Sequence, residues 1–102
     1  MDMSSLLKQA QNFQQRLKQL QDELATKTVT SSVGGGMVSV TVNGRHELLA
    51  IRIEKEIINP ADPGMLEDMI LSAVNDAMRK AQEMAQAEMG QLTGGLQIPG
   101  LF

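Results

Sequence analysis

Val38-Ser39-Val40-Thr41-Val42-Asn43-Gly44-Arg45-His46-Glu47-Leu48-Leu49-Ala50-Ile51-Arg52-Ile53 decides the fold. Three valines occupy alternate positions, Asn43-Gly44 interrupts them, and apolar residues resume beyond, which is the two-residue period of strands around a hairpin turn. Val38, Val40 and Val42 share one face. A four-residue loop from Asn43 to His46 sets Val42 opposite Glu47, Val40 opposite Leu49 and Val38 opposite Ile51. A two-residue loop would set Val40 against Glu47, so the longer loop is expected. Ser39, Thr41, Ala50, Arg52 and Glu54 form the other face, polar enough for solvent or a partner. Upstream, Val29 and Val33 continue the pattern, and Gly34-Gly35-Gly36 separates that strand from the next. A three-stranded antiparallel sheet is expected over residues 26–56.

Helices flank this sheet. From Met3 to Leu24, apolar residues stand at Met3, Leu6, Ala10, Phe13, Leu17, Leu20 and Leu24, in alternating steps of three and four. Ser4 or Ser5 can cap the start. Such a helix, residues 3–24, is about 33 Å long, more than a small globule needs. Its stripe either packs partly on another subunit or belongs to an intramolecular amphipathic helix. Asp62-Pro63 reads as a cap followed by the first helical position of a second helix, residues 63–89. Leu66, Met69, Ile70, Ala73, Val74, Ala77, Met78, Ala81, Met84 and Ala85 form its apolar face. Gly90 and Thr93-Gly94-Gly95 are expected to end it, leaving a tail over 90–102 that docks or stays disordered. The fold class expected is α+β, one domain over 1–102, arranged as a two-layer α-β-β-β-α subunit.

Composition excludes several functions. The 102 residues hold no cysteine and only two aromatics, Phe13 and Phe102, which removes thiolate chemistry and any sheet that stacks bases on exposed rings. No apolar run is long enough to span a membrane, and Met1 to Leu7 lacks a basic stretch feeding an apolar one, so no membrane partner is expected. Net charge is −3. Residues 1–25 balance Lys8, Arg16 and Lys18 against Asp2, Asp22 and Glu23; residues 26–58 carry an excess of one positive charge; and residues 59–102 set Arg79 and Lys80 against six acids.

No catalytic constellation stands out in the sequence. His46 stands alone beside the hairpin turn. Glu67 and Asp68 open a helix, where the dipole favours acids. Glu54 and Glu56 alternate with Lys55 at a strand end. Gly34-Gly35-Gly36 has no following Lys-Ser/Thr and leads into a strand, unlike a phosphate loop. No metal site, cofactor, small-molecule substrate or enzymatic activity is expected. The eight methionines divide between two readings, core packing and an adaptable binding strip, with the helical spacing of Met69, Met78 and Met84 favouring the core.

The order of short segments resembles the YbaB/EbfC family of bacterial nucleoid-associated proteins. They are Leu7-Lys8-Gln9-Ala10-Gln11; Gly36-Met37-Val38; Thr41-Val42-Asn43-Gly44; Ile51-Arg52-Ile53; Met65-Leu66-Glu67-Asp68-Met69-Ile70; Ala73-Val74-Asn75-Asp76-Ala77 with Lys80-Ala81; Thr93-Gly94-Gly95; and Pro99-Gly100-Leu101-Phe102. The resemblance implies an intertwined homodimer with projecting helical arms that binds double-stranded DNA at the nucleoid, in the cytoplasm. It transfers no site residue by residue. Elimination does that instead: Lys8, Arg16, Lys18, Lys27 and Arg45 lie off the apolar stripes and are the expected phosphate contacts. Arg79 and Lys80 sit among acids, and Arg52 is expected to pair across strands. The competing reading is a dimeric scaffold that grips a protein of recombination or replication machinery.

Overall fold

The structure, a computed structural model, describes residues 2–92. Helix α1 spans Met3–Thr26, strands β1, β2 and β3 span Thr28–Val33, Val38–Asn43 and Leu48–Ile53, a short 3₁₀ turn covers Lys55–Ile57, and helix α2 spans Pro63–Leu92. The strands pair antiparallel in the order β1-β2-β3. The expected α-β-β-β-α arrangement is therefore present. The tail expected over 90–102 lies outside the described residues from 93 onward.

Val38, Val40 and Val42 on the central strand are fully buried, and so are Ala73, Ala77 and Ala81 of α2. A row of alanines four residues apart lets the helix axis come close to the sheet, so each β2 valine contributes about 1.5–3 kcal/mol on burial. Helix α2 lies across β1 and β2; among the described residues β3 receives no comparable cover. Cross-strand hydroxyl pairs, Thr30 with Thr41 and Ser32 with Ser39, line the far face. That face is polar, as expected.

The hairpin corrects the expected register. Asn43 donates its backbone N–H to the Glu47 carbonyl, and His46 donates to the Asn43 carbonyl with φ of 64°. The loop is thus three residues closed by a type I turn and a left-handed residue. Leu49 then bulges out, so Val42 pairs with Leu48, Val40 with Ile51 and Val38 with Ile53. The shift for Val40 and Val38 is two residues, which keeps apolar residues on the expected face where a one-residue slip would have exposed them. The Asn43 side chain causes this closure: its carbonyl oxygen accepts from Arg45 and Glu47 backbone N–H, and its amide donates to Glu47 and to the Ala25 carbonyl.

Caps and ends also differ from expectation. Asp2, not Ser4 or Ser5, caps α1 by accepting from the Ser5 N–H at 2.8 Å. Asp62 caps α2 as expected. Gly90 does not end α2. A glycine costs a helix about 1 kcal/mol, and burial of Met89 with Leu92 packed beside it offsets that cost.

Among the described residues, helix α1 meets the other elements only near its C-terminal end. Leu20 and Leu24 are buried with Ala85 and Met89, with Leu17 and Leu92 packed alongside, and Lys27 bridges to Glu88. The two helices therefore run antiparallel over a short overlap, and the remainder of α1 projects, giving a molecule 70 × 21 × 17 Å. The C-terminal end of the heptad stripe is intramolecular; the outer part is not covered by the described residues.

The root of the arm is held by Gly44, whose N–H donates to the Leu24 carbonyl at 2.8 Å and the Lys27 carbonyl at 3.0 Å. A Cβ there would lie 2.7 Å from Leu24 Cδ2 and 2.9 Å from its carbonyl oxygen. Gly44→Ala should destabilise the fold by about 1–3 kcal/mol through this overpacking, measured by urea denaturation, whereas Gly35→Ala meets no neighbour and its cost is backbone conformation alone.

Candidate nucleic-acid interface

The positive charges of the chain divide into paired and unpaired groups. Arg79 bonds Asp76 and, at 3.3 Å, Glu83, while Lys80 lies 3.5 Å from Asp76 and reaches the Thr30 carbonyl. Lys27 is bonded to Glu88 at 2.5 Å. Arg52 pairs with Glu54 at 3.8 Å, two residues along the chain and not across strands as expected. Among the described residues, Lys8, Arg16, Lys18, Arg45 and Lys55 take part in no ion pair. Four of the five expected contacts are in that group; Lys27 is not, and Lys55, on the 3₁₀ turn, was not singled out from sequence.

Geometry also changes the meaning of the N-terminal charge balance. Residues 3–21 contain Lys8, Arg16 and Lys18 and no acid, whereas Asp2 caps the helix and Asp22 and Glu23 lie at its root. Residues 3–21 of α1 thus carry three positive charges, Lys8 and Arg16 on the projecting part and Lys18 where α1 packs on α2, on a chain whose net charge is −3. Of the acids of α2, Asp76 meets Ser31 of the sheet and Glu88 meets Lys27 at the root of α1, and salt screens exposed charges beyond about 8–10 Å. A window that ends at the tip of the secondary-structure element cancels this charge, and one that ends where the arm leaves the body reveals it.

The three cations do not share a side. At about 100° per residue, Lys8 and Arg16 stand roughly 80° apart around the helix and about 12 Å apart along it, while Lys18 stands roughly 160° from Arg16. Lys8 and Arg16 flank Gln9 and Asn12, and a shallow depression is lined by Gln9, Asn12, Phe13 and Arg16. Amide side chains can donate to phosphate oxygens alongside the cations. Arg45 sits at the hairpin tip, next to the root of the arm, because Gly44 bonds the end of α1.

A sequence description, the YbaB/EbfC DNA-binding family, matches residues 1–96. The chain belongs to this family. Relatives named nucleoid-associated protein share its length: one from Pelotomaculum thermopropionicum is 54% identical over 101 residues, covering 99% of this chain and 96% of its own. Another, from Syntrophobacter fumaroxidans, is 50% identical over 95 residues, covering 93% and 86%. The crystal structure of an uncharacterized protein from Helicobacter pylori superposes with a TM-score of 0.83 at 29% identity, covering 92% of this chain and 99% of that one. The YbaB/EbfC resemblance drawn from the short segments thus stands. The family is one of DNA-binding proteins. Among the described residues no group of three His, Asp or Glu is placed to hold a metal, and no helix is long and apolar enough to cross a membrane.

In this YbaB/EbfC chain Asp76 has a structural task. The Ser31 hydroxyl donates to it at 2.6 Å, and that bond, followed by the one from Arg79, holds the carboxyl below its ordinary value of 3.8. A carboxylate lowered on folding contributes stability above its unfolded value, and that contribution is lost as pH falls through the lowered one. Asp76→Asn should lower the melting temperature at pH 7, and the gap to the parent should close as pH drops below about 3.8, read by thermal melts across a pH series.

Proposed function

We propose that this chain is a homodimeric nucleoid-associated protein that holds duplex DNA through its phosphates with little discrimination between sequences. The observation that carries the reading is the stretch of α1 from residue 3 to 16, which holds no acid and whose Lys8 and Arg16, in no ion pair, share a side with Gln9 and Asn12. Phosphate contact needs cations that are free of carboxylates and presented on a projecting surface. Arg45 extends the contact toward the root of the arm, Lys18 serves the opposite side, and Lys27 joins only by leaving Glu88. The relatives' shared name supports action at the nucleoid.

The dimer reading rests on β3. Leu48, Leu49 and Ile51 are between 43% and 53% exposed, its outer edge is unpaired, and α2 leaves it uncovered. A long apolar edge strand is a site for pairing with another chain. A second copy on this edge buries those residues and sends its own arm outward from the same core. Leu71 and Met65 of α2 are exposed as well.

Two measurements test these parts. Replacing Lys8 and Arg16 together with Ala should weaken binding to every duplex alike and reduce the salt slope by about two, roughly one for each phosphate left without its cation. Unchanged affinity in that variant overturns the assignment, and absence of duplex binding by the parent at ~50 mM salt transfers the function to a protein-gripping scaffold. Separately, sedimentation of the parent should give twice the 11.1 kDa chain mass, and Ile51→Asp should shift it toward one chain.

A further inference from the structure

The stripe of α1 changes surroundings part-way along the helix. Leu20 and Leu24 are buried against Ala85 and Met89, with Leu17 and Leu92 packed beside them. Farther out, Phe13 is 40%, Leu6 47%, Leu7 58% and Met3 72% exposed. The three-and-four spacing runs through Met3, Leu6, Ala10 and Phe13 without a break, so the outer half has the pattern of a coiled-coil seam, and no described residue covers it. Its borders carry little charge. At about 100° per residue, Leu7 and Gln14 flank the seam on one side and Asp2, Gln9 and Arg16 on the other, while Lys8 stands directly opposite it.

We infer that this seam takes the same seam of a second copy, with the two arms antiparallel. Residue size sets the alignment. A two-fold axis level with Lys8 puts Met3 against Phe13 and Leu6 against Ala10, each twice, so that the small side chain faces a large one. Parallel arms would set Ala10 against Ala10 and leave a gap. The flanks agree, because antiparallel arms place Arg16 beside Asp2 of the second copy and Gln9 beside Gln9, whereas parallel arms would put Asp2 beside Leu7. That exposed ion pair adds little affinity but favours one direction. Length agrees too: the tip of the second arm stands beside residue 14, about one turn short of Leu17, where the cover by α2 begins. Each arm thus fills the length that the other chain's α2 leaves open. Four apolar layers make a weak contact between free copies, and copies held side by side on a duplex would form it more readily. That last consequence rests on DNA binding; the clasp itself does not.

The chain has no cysteine of its own, so single engineered thiols report this contact. Full-length chains carrying Met3→Cys and, separately, Phe13→Cys are mixed and treated with a short bismaleimide, which traps a weak association. The mixture should yield a link between position 3 of one copy and position 13 of another. Like positions lie about 15 Å apart along antiparallel arms, so each variant alone should link far less. Leu6→Asp in both chains should cut the mixed link by about tenfold or more, since it sets a carboxylate in the seam. Ile51→Asp alters β3 and not the arm, so it should leave the link in place, and failure of the clasp is read apart from failure of the β3 dimer. Four results each overturn the proposal: no mixed link, like-position links that match or exceed it, a mixed link indifferent to Leu6→Asp, and a mixed link lost with Ile51→Asp.

Discussion

The approach of Gly44 to the last turn of α1 is the constraint on which the other features depend. With no side chain at this position, the hairpin backbone bonds the carbonyls of Leu24 and Lys27 directly. That contact fixes where α1 meets the sheet and leads β1 away from Thr28 in register with β2. It also brings Lys27 to Glu88 and lays Leu20 and Leu24 on α2. Asn43 supports the same junction from the other side, because its amide reaches the Ala25 carbonyl while its carbonyl oxygen shapes the turn. The Asn-Gly pair therefore makes the turn and also joins the arm to the body.

Much of the fold was legible in the sequence. The heptad from Met3 to Leu24, the alternation of Val38, Val40 and Val42, and the Asp62-Pro63 cap each carry a local period or a local bond, and each element formed where its residues predict. What was not legible depends on contacts between distant residues. The three-residue loop and the Leu49 bulge follow from Asn43 side-chain bonds that compete with several loops of similar local cost. The persistence of α2 through Gly90 follows from packing of Met89 and Leu92 on a helix more than sixty residues earlier. The cap at Asp2 displaced two serines that were equally plausible by residue type.

The candidate site was legible in part for the same reason. The acids beside Arg79 and Lys80 in sequence set these two apart from Lys8, Arg16, Lys18 and Arg45, and Asp76 and Glu83 do hold them. Exclusion from apolar stripes could not foresee that Lys27 meets Glu88, since that pair exists only because the helices run antiparallel. Nor could it see that Asp22 and Glu23 fall at the root of the arm and not on its projecting part, because the extent of the arm is a tertiary fact. The exposed apolar residues of β3 have a similar origin: by pattern β3 resembles an ordinary strand, and only the lateral placement of α2 leaves it bare.

The 70 Å length of the molecule has a mechanical consequence. An α-helix resists bending far more than a packed contact resists rotation, so the projecting part of α1 behaves as a lever whose fulcrum is the packing of Leu17 and Leu20 on α2. Over residues 3–16, about 21 Å, a tilt of about 10° at that fulcrum carries the tip through about 4 Å. Side-chain adjustments of a fraction of an ångström where α1 packs on Ala85, Met89 and Leu92 are thereby magnified at the far end.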